Sequence, residues 1–148
     1  MSIKFWQRWL IVVTGGVIVY GLMLILLPQT THTLFNTLFF ASSESIRRIG
    51  TDSSHYVALV YGVLGAVIIG WMVTIMALLI SSFQSQPRNT WNIITLSVVT
   101  WYIIDSGFSL VIGSLAHVLF NTGFFVLFAV PLIALYGHLR RKPVDDHF

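Results

Sequence analysis

The chain has 148 residues, of which 56% are hydrophobic and only 9% charged, with a formal net charge of +3 at pH 7. A soluble domain carries roughly a quarter of its residues as charges, so this composition excludes a water-coated globule and points to an integral membrane protein. Most of the cations stand beside apolar runs, where they set topology rather than bind nucleic acid, and the absence of cysteine excludes disulfides, iron–sulfur clusters and thiolate zinc sites.

The first apolar run, about residues 8–28, follows Lys4 and Arg8. It is too long for a signal-peptide core and no small-residue cleavage pattern follows, so it reads as a retained span. Trp6 and Trp9 are placed as interfacial anchors. Gly15 and Gly16 allow a close helix contact or a bend, and Pro28 is expected to close the span.

In residues 30–50, Leu34, Phe35, Leu38, Phe39, Ile46 and Ile49 recur at helical spacing, with Asn36, Ser43, Glu44, Arg47 and Arg48 mostly between them. The stretch is too short and polar to span. An amphipathic helix over about residues 31–49, lying in the membrane interface, is predicted.

The second span covers about residues 55–82, with Asp52, Ser53 or Ser54 as its N-cap. It exceeds the hydrocarbon thickness and should tilt or project. Ala58, Gly62, Ala66 and Gly70 recur every fourth residue, a small-residue stripe that predicts helix packing against another span or a second protomer.

The third span, about 91–112, takes Asn89 or Thr90 as its cap, and Gly113 and Ser114 permit a tight reversal into the fourth, about 116–139. Pro131 within span 4 leaves the carbonyl of Leu127 without its helical partner and should bend the helix. Residues 140–148 form a polar tail. Together these elements predict an all-α bundle of four transmembrane helices plus one interfacial helix, in a single domain.

Lys4, Arg8, Arg88, Arg140, Arg141 and Lys142 fall on one side of such a bundle, and Arg47 and Arg48 on the other. The positive-inside rule therefore puts both termini in the cytoplasm.

Asp105 is the one acid within the spans. A charged Asp at a helix centre costs roughly 2.5–3.5 kcal/mol on insertion scales, so it should face the bundle interior or a wet cavity. Ser97, Trp101, Asp105, Ser109 and Gly113 form one stripe on span 3. On span 4, His117 and Asn121 share a face one turn apart. Counted from the turn, Asp105 and Asn121 lie at similar depth, which predicts a hydrogen bond between them with His117 nearby. Tyr61 of span 2 lies at that depth as well. The group Tyr61, Trp101, Asp105, Ser109, His117 and Asn121 is thus the candidate binding site, and a plain structural clasp between helices is the competing reading.

No catalytic set is legible. Carriers of protons or ions show ionisable groups spaced across the membrane and commonly an inverted repeat; neither is present. Asp105 and His117 alone leave a metal site two ligands short. A haem needs axial ligands such as His, and only His117 and His55 sit near a common level; a chlorophyll-type pigment needs a single ligand, which His117 or Asn121 supplies. No cofactor is strongly implied.

The segments "YGVLGAVIIGWMV" (61–73), "WYIIDSGFSL" (101–110) and "FAVPLIAL" (128–135), with Asn121 between the last two, resemble a group of small four-span bacterial membrane proteins. The resemblance implies a four-span fold and, with the charge pattern, a bacterial inner membrane; it brings no activity.

Three readings follow. The first is a non-catalytic accessory or scaffold subunit that packs with a larger membrane complex or with itself. The alternative is a binding protein for a lipid, quinone or pigment, with an outward-facing pocket around Asp105. The third is an intramembrane enzyme that uses Asp105 as acid or base.

Overall fold

In the computed structural model, residues 2–40 and 53–141 are described, and every regular element among them is helical. Helix α1 runs Ile3–Leu26, α2 Pro28–Phe40, α3 Ser53–Ala77, α4 Pro87–Val111 and α5 Leu115–Arg141; a π-helical turn, Leu78–Ser82, extends α3. Four helices, α1, α3 with its π turn, α4 and α5, are long and apolar enough to cross a membrane. The fold is all-α, the architecture of a multi-pass membrane protein.

The boundaries shift from expectation at capping points. Helix α1 starts at Ile3, because the Ser2 hydroxyl accepts from the Phe5 amide at 3.3 Å, so Lys4, Trp6 and Arg8 are already helical. Pro28 opens α2 rather than merely closing α1: proline suits the first helical turn, where an amide would be orphaned anyway. Only Leu27, at φ −128 and ψ 50, separates the two helices. Pro87 does the same for α4, which begins four residues earlier than predicted; Gln86 is the cap position and Asn89 and Thr90 lie within the helix. Ser53 and Ser54 are helical in α3, and Asp52 lies outside the described residues. A helix does follow span 1, as Pro28–Phe40; the predicted continuation to 49 falls outside the described residues, as does the tail from Lys142.

Helix α1 is the centre of the bundle. Its buried positions are Leu10, Thr14, Val17, Gly21 and Leu24, spaced four and three alternately, the seam of a left-handed pair. That seam meets α3 and its π turn, where Gly65, Met72 and Ile75 of α3 and Leu79 of the turn are buried with the same spacing through half-buried Ile68. The closest approach is Gly21 against Gly65. A Cβ built on Gly65 would stand 2.5 Å from the Gly21 carbonyl oxygen, and one on Gly21 would stand 2.8 Å from Ile69 Cγ1. Backbones this close admit only glycine.

The seam therefore differs from the predicted stripe. A Cβ on Gly62 or Gly70 would meet nothing within 4 Å, and Ala66 and Gly70 are exposed. Within the chain, Gly62, Ala66 and Gly70 are not where helices meet closely. Span 2 is apolar on every side, so small side chains were the visible signal, while the heptad that selects the buried face was masked. Gly15 and Gly16 likewise have open space and make no close contact.

Three indoles tie the helices together. Trp9 Nε1 of α1 donates to the Leu127 carbonyl of α5 at 3.2 Å. Trp71 Nε1 of α3 donates to Ser97 Oγ of α4 at 2.6 Å. Trp91 Nε1 of α4 donates to the Leu132 carbonyl of α5 at 2.7 Å. Trp9 thus engages a helix neighbour as well as standing near the bundle end. Where the π turn alters the hydrogen-bond ladder, Gln7 Nε2 donates to the Leu79 carbonyl at 2.7 Å.

Helix α4 packs on α5, and α5 on α1, whereas α3 and α4 meet mainly at the end that carries their connecting loop, through the π turn and the Trp71–Ser97 bond. Away from that loop the two part. The α4–α5 reversal is made by Gly113, whose φ of +75 is the left-handed conformation that glycine adopts without strain. At this end α2 folds against α1, α3 and α5, with Phe35 near Tyr20, Tyr61 and Phe120 at ring separations of 6.4, 6.1 and 5.9 Å.

Candidate functional site

The divergence of α3 from α4 leaves a cavity of about 510 Å³ inside the bundle, bounded by α1, α3, α4 and α5. Its walls are mainly apolar and aromatic, Trp71 and Trp101 on one side and Phe120, Phe124 and Phe128 on the other. Trp71 and Trp101 lie 5.8 Å apart. Leu64 and Val67 on α3 and Thr100 on α4, all exposed, line the cavity where the two helices part, so its side faces the hydrocarbon of a membrane.

The polar groups of the cavity come from α4 and α5. Their register is pinned by Tyr102 Oη and Thr122 Oγ1 at 3.0 Å and by the stacked rings of Tyr102 and Phe125, 4.3 Å apart. This register brings Asp105, His117 and Asn121 to the same cavity. The carboxylate turns to His117, with Oδ1 3.6 Å from Nε2 and both side chains about one-third exposed, at 35% and 32%. That separation suits an ion pair or a bridging water rather than a direct hydrogen bond.

The predicted Asp105–Asn121 hydrogen bond is not made. Asn121 is only 3% exposed, lines the cavity, and its Nδ2 has no hydrogen-bond partner. It occupies the inward seam of α5 that runs through Phe124, Phe128, Pro131 and Leu135, so it points into the bundle while Asp105 pairs one turn away. Leaving a buried amide unpaired costs about 1–3 kcal/mol. Thr14, Thr95 and Ser106 also have unpartnered buried hydroxyls, but a helical hydroxyl can rotate onto the carbonyl four residues back. The Asn121 side chain lines the cavity while its unpartnered Nδ2 is itself buried; a turn of the side chain would bring that amide to a group bound there.

The other predicted site residues divide. Trp101, Asp105, His117 and Asn121 are brought together on the cavity wall, joined by Ser97 from the same stripe. Ser109 is buried and donates to the Asp105 carbonyl at 2.8 Å, so its hydroxyl serves its own helix. Tyr61 is not on the cavity wall; it packs against α2, with its ring 6.0 Å from His32 and 6.1 Å from Phe35. The tyrosine that does line the cavity is Tyr20 of α1, packed 5.7 Å from Phe124. Its place beside the 17–21–24 seam was the sequence signal that could have found it. Among the described residues no group of three His, Asp or Glu side chains could hold a metal ion.

The arrangement offers an apolar, aromatic sleeve for a hydrophobic body and, at one end, an amide and an acid–imidazole pair for a polar head. Comparisons with protein-family models, with curated proteins and with solved structures found no match. Fold and site define a small four-span helical membrane protein with a side-opening cavity between its helices.

Proposed function

We propose that this protein binds a hydrophobic small molecule drawn from the bilayer, of the lipid, quinone or pigment class, with its polar group at Asn121, Asp105 and His117. The observation that carries this reading is the buried, unpartnered Asn121 amide on the wall of an aromatic cavity. Binding sites for small molecules combine such apolar walls with few, convergent polar groups. An amide offers both a donor and an acceptor, so the ligand presents a carbonyl, ester or hydroxyl oxygen there.

Native mass spectrometry of the full chain purified in mild detergent tests this. The wild type is expected to carry a co-purified small molecule, and Asn121→Leu, which fills the polar end with hydrocarbon, is expected to lose it. A wild type that carries nothing, at any detergent mildness that preserves the fold, contradicts the proposal.

The accessory-subunit reading is supported by the exposed small face at Ala66 and Gly70, and it predicts a partner or a second copy of the chain in the same spectra. An enzyme that uses Asp105 predicts loss of biological function in Asp105→Asn with ligand binding retained. The bacterial inner membrane is supported by the resemblance noted above, and cytoplasmic termini by the distribution of cations; reporter fusions at Phe148 and in the α4–α5 turn report the orientation.

A further inference from the structure

A second cleft, of about 330 Å³, lies at the opposite end of the α4–α5 pair, lined by Arg88, Trp91, Asn92, Tyr136, Leu139 and Arg140. Arg88 sits in the first turn of α4 and Arg140 in the last turn of α5, so two antiparallel neighbours each bring an arginine to the same hollow. Its floor is aromatic: Trp91 and Tyr136 lie 5.0 Å apart at 31°, and the Arg140 guanidinium stands 5.8 Å from the Tyr136 ring centroid. The Trp91 indole is held by its bond to the Leu132 carbonyl, which fixes that floor. Among the described residues no carboxylate pairs with either guanidinium.

We infer that this cleft takes a phosphate group, held between Arg88 and Arg140 and lined by the Asn92 amide, and that its source is the headgroup of an anionic phospholipid. Guanidinium is suited to phosphate because its fork of donors matches two phosphate oxygens. Two arginines at the ends of candidate spanning helices, neither paired with a carboxylate among the described residues, suit the headgroup level, where basic pockets between helices bind acidic lipids. The α4 N-terminus opens beside Arg88 without a side-chain cap, which adds partial positive charge. This site is separate from the Asp105 cavity and does not depend on it.

The test uses full-length protein in nanodiscs of equal phosphatidylglycerol and phosphatidylcholine, followed by release and native mass spectrometry. Wild type is expected to retain phosphatidylglycerol several-fold over phosphatidylcholine, and Arg88→Gln/Arg140→Gln is expected to lose that preference. Lys4, Arg8, Arg141 and Lys142 remain to hold topology in the variant. Arg88→Lys/Arg140→Lys, which keeps charge but not the fork, is expected to fall between them, and thermal melting shows that all three are folded. Phosphatidylglycerol retention that survives excess inorganic phosphate assigns the source to lipid. Binding of inorganic phosphate alone, with no lipid preference, keeps the phosphate cleft but overturns the lipid source. Equal retention of both lipids by wild type without phosphate binding, or an unchanged preference in the folded Gln variant, overturns the inference altogether.

Discussion

The indole of Trp9 donates to the carbonyl of Leu127, 118 residues away in the chain, at 3.2 Å. Leu127 is the residue four before Pro131, which has no amide hydrogen to offer that carbonyl. The proline that breaks the α5 ladder thus creates the acceptor that fastens α1 to α5. Inside a membrane such a carbonyl must find a donor within the protein, and Trp9 is that donor.

Trp9→Phe should therefore lower the thermal stability of the detergent-purified protein, by about 1 kcal/mol given the usual strength of such bonds. Pro131→Ala restores a backbone amide to Leu127. In that background Trp9→Phe should cost markedly less. Equal costs in both backgrounds would show that the tryptophan acts through packing alone.

The Gly21–Gly65 crossing predicts a sharp contrast between neighbouring glycines. Gly65→Ala sets a methyl 2.5 Å from a backbone oxygen and should destabilise by about 1–3 kcal/mol, the range for overpacking. Gly62→Ala and Gly70→Ala meet open space and should leave the melting temperature of the isolated chain unchanged. A reversed order would restore the Gly62–Gly70 stripe as the internal seam.

Trp71→Phe removes the bond to Ser97 that draws α3 to α4 beside the cavity. Small-molecule retention should fall several-fold while the helical content measured by circular dichroism stays the same. Retention equal to wild type would mean that this clasp does not shape the cavity.

Asp105→Asn keeps the shape of the side chain and removes its charge. Asp105 Oδ1 stands 3.6 Å from His117 Nε2, beyond direct hydrogen-bond range, so the stability cost of the change should be small. The effect should instead appear in ligand retention, reduced in Asp105→Asn and reduced no further by adding His117→Gln. Independent, additive losses would separate the two residues into different roles.

The number of spans, the helix after span 1 and the α4–α5 hairpin were legible because uninterrupted apolar runs and glycine and proline breaks mark them directly. The convergence of Trp101, Asp105, His117 and Asn121 followed from counting turns on two antiparallel helices. Three things did not follow. The inward face of α3 was hidden because its residues are apolar all round, so the Gly65 seam had to be seen as a heptad matched to α1. Tyr20 was missed because α1, distant in sequence, reaches the cavity only through packing. The cavity itself arises from the parting of α3 and α4, a property of three helix crossings that no single segment encodes.

The central claim is that Asn121 meets a ligand in the cavity. An experimental density map of the protein purified in mild detergent tests it most directly. The account predicts density for a non-protein molecule between Trp101 and Phe124, with an oxygen about 3 Å from the Asn121 amide, the distance of a hydrogen bond. A cavity closed by side chains, or an Asn121 amide bonded to Asp105, would contradict it.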